Sequence, residues 1–288
     1  MSVSSLMEAA PAPVPAPAAK RKRRRLPPSL IAGGLILGVI VALALAAPLL
    51  APDNPTQITA QILAGSSWHH LLGTDQLGRD VFSRLLYGGR IDLRIAFLAV
   101  LAPFAIGTIL GAISGYFGGW LDMIIMRVAD VVVAFPFYVL ALLLVFLLGA
   151  GVGSIIIAIT AVSWVSYARI VRGETLVAKS QEYVLAAQVE GLSVLRVIGR
   201  HILPNVITQA IVFAMSDIVY DLLFIVTLSY LGLGIAPPAP DWGDMMSSGQ
   251  QFLGTDWQLV AYPGLVVVIT ALGLSLIGDG LADLLRPE

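Results

Sequence analysis

The sequence predicts an all-α membrane protein with six transmembrane helices and both termini in the cytoplasm. Three observations predict it: an apolar composition, six apolar runs of membrane-crossing length, and a lopsided distribution of Lys and Arg. The chain has 288 residues, of which 58% are hydrophobic and only 12% charged, with a mean hydropathy of +0.89. Soluble domains carry about 25% charged residues. Too little polar side chain is present to cover a water-facing surface, so lipid must solvate much of the chain.

A membrane helix needs about 20 mostly apolar residues. The runs that satisfy this lie near 29–51, 93–115, 128–150, 152–170, 206–232 and 259–281. An even number of spans puts both termini on one side, and the positive-inside rule chooses the side. With the N-terminus inside, the inner segments hold the block Lys20 to Arg25 together with Arg127, Arg169, Arg172, Lys179, Arg196, Arg200 and Arg286. The outer segments hold only Arg79, Arg84, Arg90 and Arg94 of the 17 basic residues.

Residues 1–28 form an Ala/Pro-rich and then basic tail that has little to bury and is expected to be disordered. A basic block before an apolar run also fits a cleaved signal peptide. The run at 29–51 is longer than the roughly 7–15 residues of a signal core, which favours an uncleaved anchor. Residues 52–92 read as an extracytoplasmic loop, and 171–205 as a long cytoplasmic loop. The net charge of −1 gives no reason to expect nucleic acid as a partner. The absence of cysteine excludes disulfides, thiolate metal sites and a Cys nucleophile.

The cytoplasmic loop carries most of the information. From Glu182 it reads EYVLAAQVEGLSVLRVIGRHILPN. A helical stretch over 181–190 exposes the small residues Ala186 and Ala187. Gly191 suits a helix end, where the chain must turn through positive φ. A second amphipathic stretch follows over 193–203. Pro204 lacks an amide donor and is expected to interrupt the helix before the next span. This geometry can act as a lever on the spans. It equally describes a plain amphipathic connector lying in the headgroups.

AAQVEG followed by HILPN resembles the cytoplasmic signature loop of ABC-importer permeases of the dipeptide/oligopeptide/nickel family. Ala186, Ala187, Gly191, Leu203 and Pro204 fall at the positions of that pattern. Leu185 stands where the family usually has Glu, with Glu182 close by, and His201 stands where an apolar residue is common. HLLGTDQLGRDVFSRLLYGGR at 70–90, SYLGLGIAPPAPDWGDMM at 229–246 and GDGLADLLRP at 278–287 are similar to the outer segments and the C-terminal end of the C-type peptide permeases, although Arg286 replaces the usual Asp.

The resemblance implies an ABC type I importer permease fold, with a five-helix core over 93–288. It implies import of di- or oligopeptides, with nickel or another small solute as the alternative, across a bacterial cytoplasmic (inner) membrane. It also implies a homologous permease as heterodimer partner, two ATPase subunits that carry ATP and Mg, and an extracytoplasmic substrate-binding protein. Glu182, Ala186, Ala187, Gly191, Leu203 and Pro204 would be the ATPase-coupling residues. No catalytic, cofactor or metal residue is expected in this chain. A P-loop needs a Lys after its second glycine, and none of Lys20, Lys22 and Lys179 follows a glycine.

Asp217 and Asp221 lie four apart in the middle of the fifth span, with Tyr220 on the same turn. Carboxylates at that depth are costly and face the protein interior or water. They read either as a wall of a translocation path or as a polar contact with a neighbouring helix or partner. An ion-coupled secondary transporter would also use such acids, but no inverted repeat is visible. Asp130 and Asp279, near span ends, read as structural. Gly107, Gly111 and Gly115 form a small-residue ridge for close helix approach, and Pro136 and Pro263 predict kinks. His69 and His70 read as lacking metal-ligand company, since a site needs three or four ligands. The outer stretch Pro237, Pro238, Pro240 and Trp242 is open to three readings: a contact for a delivery protein, a re-entrant cap, or an interfacial anchor.

Overall fold

The structure, a computed structural model, describes residues 26–285. The tail with its basic block, and the pair Arg286-Pro287, lie outside the described residues. No strand occurs among those residues; Thr74 and Asp80 form one isolated antiparallel bridge.

Helix α1 runs Pro28–Leu45, with proline in its first turn where a missing N–H costs nothing. The short α2 (Ala47–Leu50) follows it. Helix α3 spans Val81–Phe117, and its 37 residues would measure about 55 Å. The hydrocarbon core is only about 30 Å thick. The outer loop therefore ends at Asp80, and residues 81–92, expected as loop, are the first turns of α3. Asp80 caps this helix by accepting from the Ser83 amide at 2.7 Å.

Helices α4 (Gly119–Val133) and α5 (Phe137–Leu148) form one broken crossing, bent by 87° at the break before Pro136. The kink expected at Pro136 is thus a full interruption. Helix α6 (Val152–Ala178) extends eight residues beyond the expected span. Helices α7 (Glu182–Val189) and α8 (Val194–Val197) precede a π turn, Ile198–Ile202, and then α9 (Leu203–Tyr230). The lid helix α10 (Trp242–Gly249) leads to α11 (Gln258–Leu285), in which Pro263 is accommodated without a break. Five helices, counting the unbroken stretch Val194–Tyr230 as one, are long and apolar enough to cross a membrane singly. Counting the bent pair as one span brings the number to six.

The glycine ridge sets the tightest helix pair. A Cβ on Gly111 would sit 2.5 Å from the Ala168 carbonyl oxygen, and one on Gly115 would sit 2.8 Å from that of Arg172. Only glycine lets α3 and α6 approach this closely, and the packing expected from the spacing is what the seam shows. One end of the seam is pinned by polar bonds. Arg172 grips Asp122 of α4 in bidentate fashion, at 2.5 and 2.6 Å, and Ser114 of α3 donates to the same carboxylate. Lys179 reaches the terminal carbonyls of α3 at Gly115 and Tyr116. Large apolar side chains such as Leu35, Phe146, Leu147 and Val268 are exposed, as lipid-facing residues should be.

Candidate coupling segment and acidic cavity

Helix α7 is anchored by two buried residues, Val184 and Ala187, while Glu182, Leu185 and Ala186 face outward. Only one of the two alanines is therefore part of the shallow outer surface; the other is an internal contact. The helix ends in a complete Schellman motif. The Gly191 amide donates to the Gln188 carbonyl at 3.0 Å, the Leu192 amide to the Ala187 carbonyl at 3.2 Å, and Gly191 has φ of +76°. This is the turn through positive φ that the sequence calls for at Gly191. A Cβ on Gly191 would meet nothing within 4 Å among the described residues. Val189 and Leu195 flank the turn at 89% and 85% exposure, giving an apolar patch that no described residue covers.

The expected interruption at Pro204 does not occur. Val194–Tyr230 is one continuous helical body of 37 residues. The π turn just before the proline supplies the reason. The Leu203 amide donates to the Ile198 carbonyl, a bond that skips an extra residue. This widened turn absorbs the missing donor and the bulk of the proline ring, and such π bulges recur at functional sites. Ile202 beside it is buried, Leu203 is half-buried and Pro204 is exposed. Asn205 steadies the turn, donating to the His201 carbonyl at 2.7 Å and to the Tyr183 hydroxyl of α7 at 3.3 Å.

Asp217 and Asp221 lie one turn apart on α9 and line a cavity of about 520 Å³ with Tyr220. The opposite walls come from α6 and from the break between α4 and α5. Asp217 is buried and accepts from the Tyr167 hydroxyl at 2.7 Å. Asp221 is 1% exposed, and neither carboxylate oxygen has a hydrogen-bond partner among the described residues. Tyr220 is largely exposed. Asp130 pairs instead with Arg169 at 2.9 Å, outside this cavity.

The end of the structure that carries α10 holds a polar lattice. Arg84 bonds Asp244 at 3.1 Å and Arg79 bonds Asp75 at 2.7 Å. Trp242 is 1% exposed. Its amide donates to Asp92 at 2.9 Å and its indole N–H to the Leu85 carbonyl at 3.1 Å. That burial removes the interfacial-anchor reading of Trp242: α10 is a lid pinned to α3. Asp241 caps α10 by accepting from the Asp244 amide at 2.8 Å, and burial pushes its carboxyl above the usual carboxylate range.

The expectation that His69 and His70 stand without ligand company is corrected. Asp53, just past α2, joins them, and one ligand atom from each of the three lies within 4.8 Å of the others. His70 is buried, with Nδ1 placed 3.0 Å from Asp80. Asp53 is far enough away in sequence that adjacency could not reveal it.

Five unbroken apolar spans, a bent pair beside them and a helical segment fused to one span define a multi-pass membrane protein. Residues 107–288 match the family model described as the binding-protein-dependent transport system inner membrane component. The chain belongs to this family, and is accordingly a multi-pass inner-membrane permease subunit of an ABC importer. It is 38% identical to a dipeptide transport system permease protein of Alkalihalophilus pseudofirmus, over 90% of this chain and 85% of the relative. It is also 38% identical to a glutathione transport system permease protein of Pectobacterium atrosepticum, over 90% and 86%. A dipeptide transport system permease protein of Haemophilus influenzae is 40% identical, over 88% and 89%.

Proposed function

We propose that this chain forms half of a translocation path for di- or oligopeptides and couples that path to separate ATPases through α7 and the turn at Gly191. It pairs with a homologous permease as a heterodimer. Two ATPase subunits, which hold the ATP and Mg, contact the loop 171–205 from the cytoplasm, where both termini also lie. A substrate-binding protein docks on the opposite face. The relatives named for dipeptide and glutathione transport favour peptides over nickel. The observation that carries the coupling reading is the uncovered patch around Gly191, joined to α9 through an unbroken helical body.

The test compares two substitutions at Gly191 in the reconstituted complex. Gly191→Ala imposes only the left-handed backbone penalty, about 1–2 kcal/mol, with its Cβ in open space. Gly191→Trp carries the same backbone penalty, starts from a Cβ in open space among the described residues, and adds bulk that would meet a docked partner. We expect the alanine variant to keep a measurable share of ATP-driven uptake and the tryptophan variant to lose it while remaining inserted. Equal uptake by the two variants would count against a docked ATPase.

A further inference from the structure

We infer that the cavity between α5, α6 and α9 binds the free α-ammonium group of a peptide in transit, with Asp221 as its carboxylate partner. The inference rests on the importer reading above and names the chemistry that one site in the path would recognise.

Asp221 is the starting point. Its carboxylate is buried at bilayer depth, lines the cavity, and has both oxygens without a partner. A buried polar group left unsatisfied loses its full hydration without return, and a charged one loses more. Asp217, one turn away, is already engaged by Tyr167. No Lys, Arg or His is among the described residues that line the cavity. Among the described residues the cavity is acidic and lined by no cation, so a cationic ligand would meet a carboxylate that nothing else pairs.

The backbone provides a second, independent pointer. Val133, Phe135 and Pro136, at the break between α4 and α5, line the same cavity. Non-helical backbone at membrane depth is tolerated where it faces protein or a water-filled cavity, not lipid. The volume of about 520 Å³ falls within the range of small-ligand pockets.

The lining also selects among cations. A hard divalent ion wants six or more oxygen ligands. Here two carboxylates stand beside the rings of Phe137 and Tyr138, with Ser163 on the facing helix. An ammonium group suits that mixture: it donates to carboxylate and hydroxyl oxygens and sits well against aromatic faces. A peptide brings one such group at a fixed end, next to an apolar or amide body that the rest of the cavity accepts.

The experiment uses the complete complex in nanodiscs without the binding protein, read by saturation-transfer NMR. The probes are Ala-Ala, N-acetyl-Ala-Ala and N-acetyl-Ala-Lys. We expect transfer to Ala-Ala to exceed that to both acetylated peptides roughly tenfold or more, the scale of one charge-assisted bond. Asp221→Asn should erase that difference and Asp221→Glu should retain it. Equal transfer to N-acetyl-Ala-Ala, or unchanged transfer in Asp221→Asn, would overturn the inference. N-acetyl-Ala-Lys matching Ala-Ala would overturn the assignment to the α-amino group. Loss of the partner permease from the Asp221→Asn complex on size exclusion would overturn it as well, because the acid would then serve the subunit interface. Gly191→Trp should abolish uptake yet leave the NMR contrast intact, so a failure of coupling and a failure of this site are separately visible.

Discussion

The seam between α3 and α6 makes a demanding test of the packing, because the same substitution should have opposite signs at two glycines. Gly38 in α1 is exposed, and a Cβ there would meet nothing within 4 Å. Replacing it with Ala should recover the helix-propensity difference, a stabilisation of up to about 1 kcal/mol. Gly111→Ala brings the same gain but puts its Cβ 2.5 Å from the Ala168 carbonyl oxygen and 3.0 Å from the Arg172 amide nitrogen. Both obstacles are backbone and cannot rotate away, so the helices must part. Overpacking costs roughly 1–3 kcal/mol, and the upper end applies because parting also loosens Gly107 and Gly115. The two variants should therefore differ by about 2–3 kcal/mol, which for chains of this size is a melting difference on the order of 4–12 °C. Thermal unfolding of the purified chain in one detergent, followed by far-UV circular dichroism, reads it directly. Gly111→Ala melting at or above Gly38→Ala would refute the packing argument.

Two further perturbations address the lid. Trp242→Phe keeps most of the bulk and loses the bond to the Leu85 carbonyl, for about 1 kcal/mol, whereas Trp242→Ala should cost about 3–5 kcal/mol and expose amides 242–249 to hydrogen exchange. Unchanged protection in the alanine variant would mean that α10 is held by something else. Asp241 gives a pH signature. Burial raises its folded-state pKa, so on raising the pH the unfolded chain releases that proton first and stability falls until the folded carboxyl ionises too. Asp241→Asn keeps a cap acceptor and removes the titration. Its stability relative to the parent should rise between a pH below about 4 and one near 8; a constant difference would contradict the assignment.

The five unbroken crossings were readable because length and composition alone define them, whereas the span expected over 128–150 straddles the break between α4 and α5 and missed the start of α4 at Gly119. What was not readable depended on partners far away in sequence. Residues 81–92 look like loop because Arg84, Arg90 and Asp92 interrupt the apolar pattern. Arg84 pairs with Asp244 and Asp92 accepts from the Trp242 amide, some 150 residues later. The proline-rich stretch with Trp242 was left open among three readings, the headgroup anchor included, for the same reason: the two acceptors of Trp242 lie on α3. The turn at Gly191 was legible because a Schellman motif is local chemistry. Which of Ala186 and Ala187 points inward was not, since two adjacent small residues carry no facial signal. Pro204 misled because the rule that proline ends a helix assumes a rigid α register, and a five-residue π turn relaxes it.

That π turn also fixes where force can go. The body from Val194 to Tyr230 would measure about 55 Å, with the uncovered patch near one end and Asp217 and Asp221 well inside it. Its neighbour α6 is tied to α3 and α4 through Lys179, Arg172 and the glycine seam, so it serves as the fixed frame. The bond between Tyr167 on α6 and Asp217 on α9 bridges frame and lever at 2.7 Å. Sliding α9 along α6, across the direction of that bond, carries the pair past the 3.5 Å limit of a useful hydrogen bond once the shift exceeds roughly 2 Å. A push on α8 therefore either compresses the π turn, the one stretch with non-α bonding, or releases Asp217 into the cavity beside Asp221. The first outcome leaves the acidic pocket as it is; the second doubles its unpartnered carboxylates. On the coupling proposed above, a stroke that frees Asp217 changes how many unpartnered carboxylates line the cavity, and so links force on α8 to the proposed binding site without any further moving part.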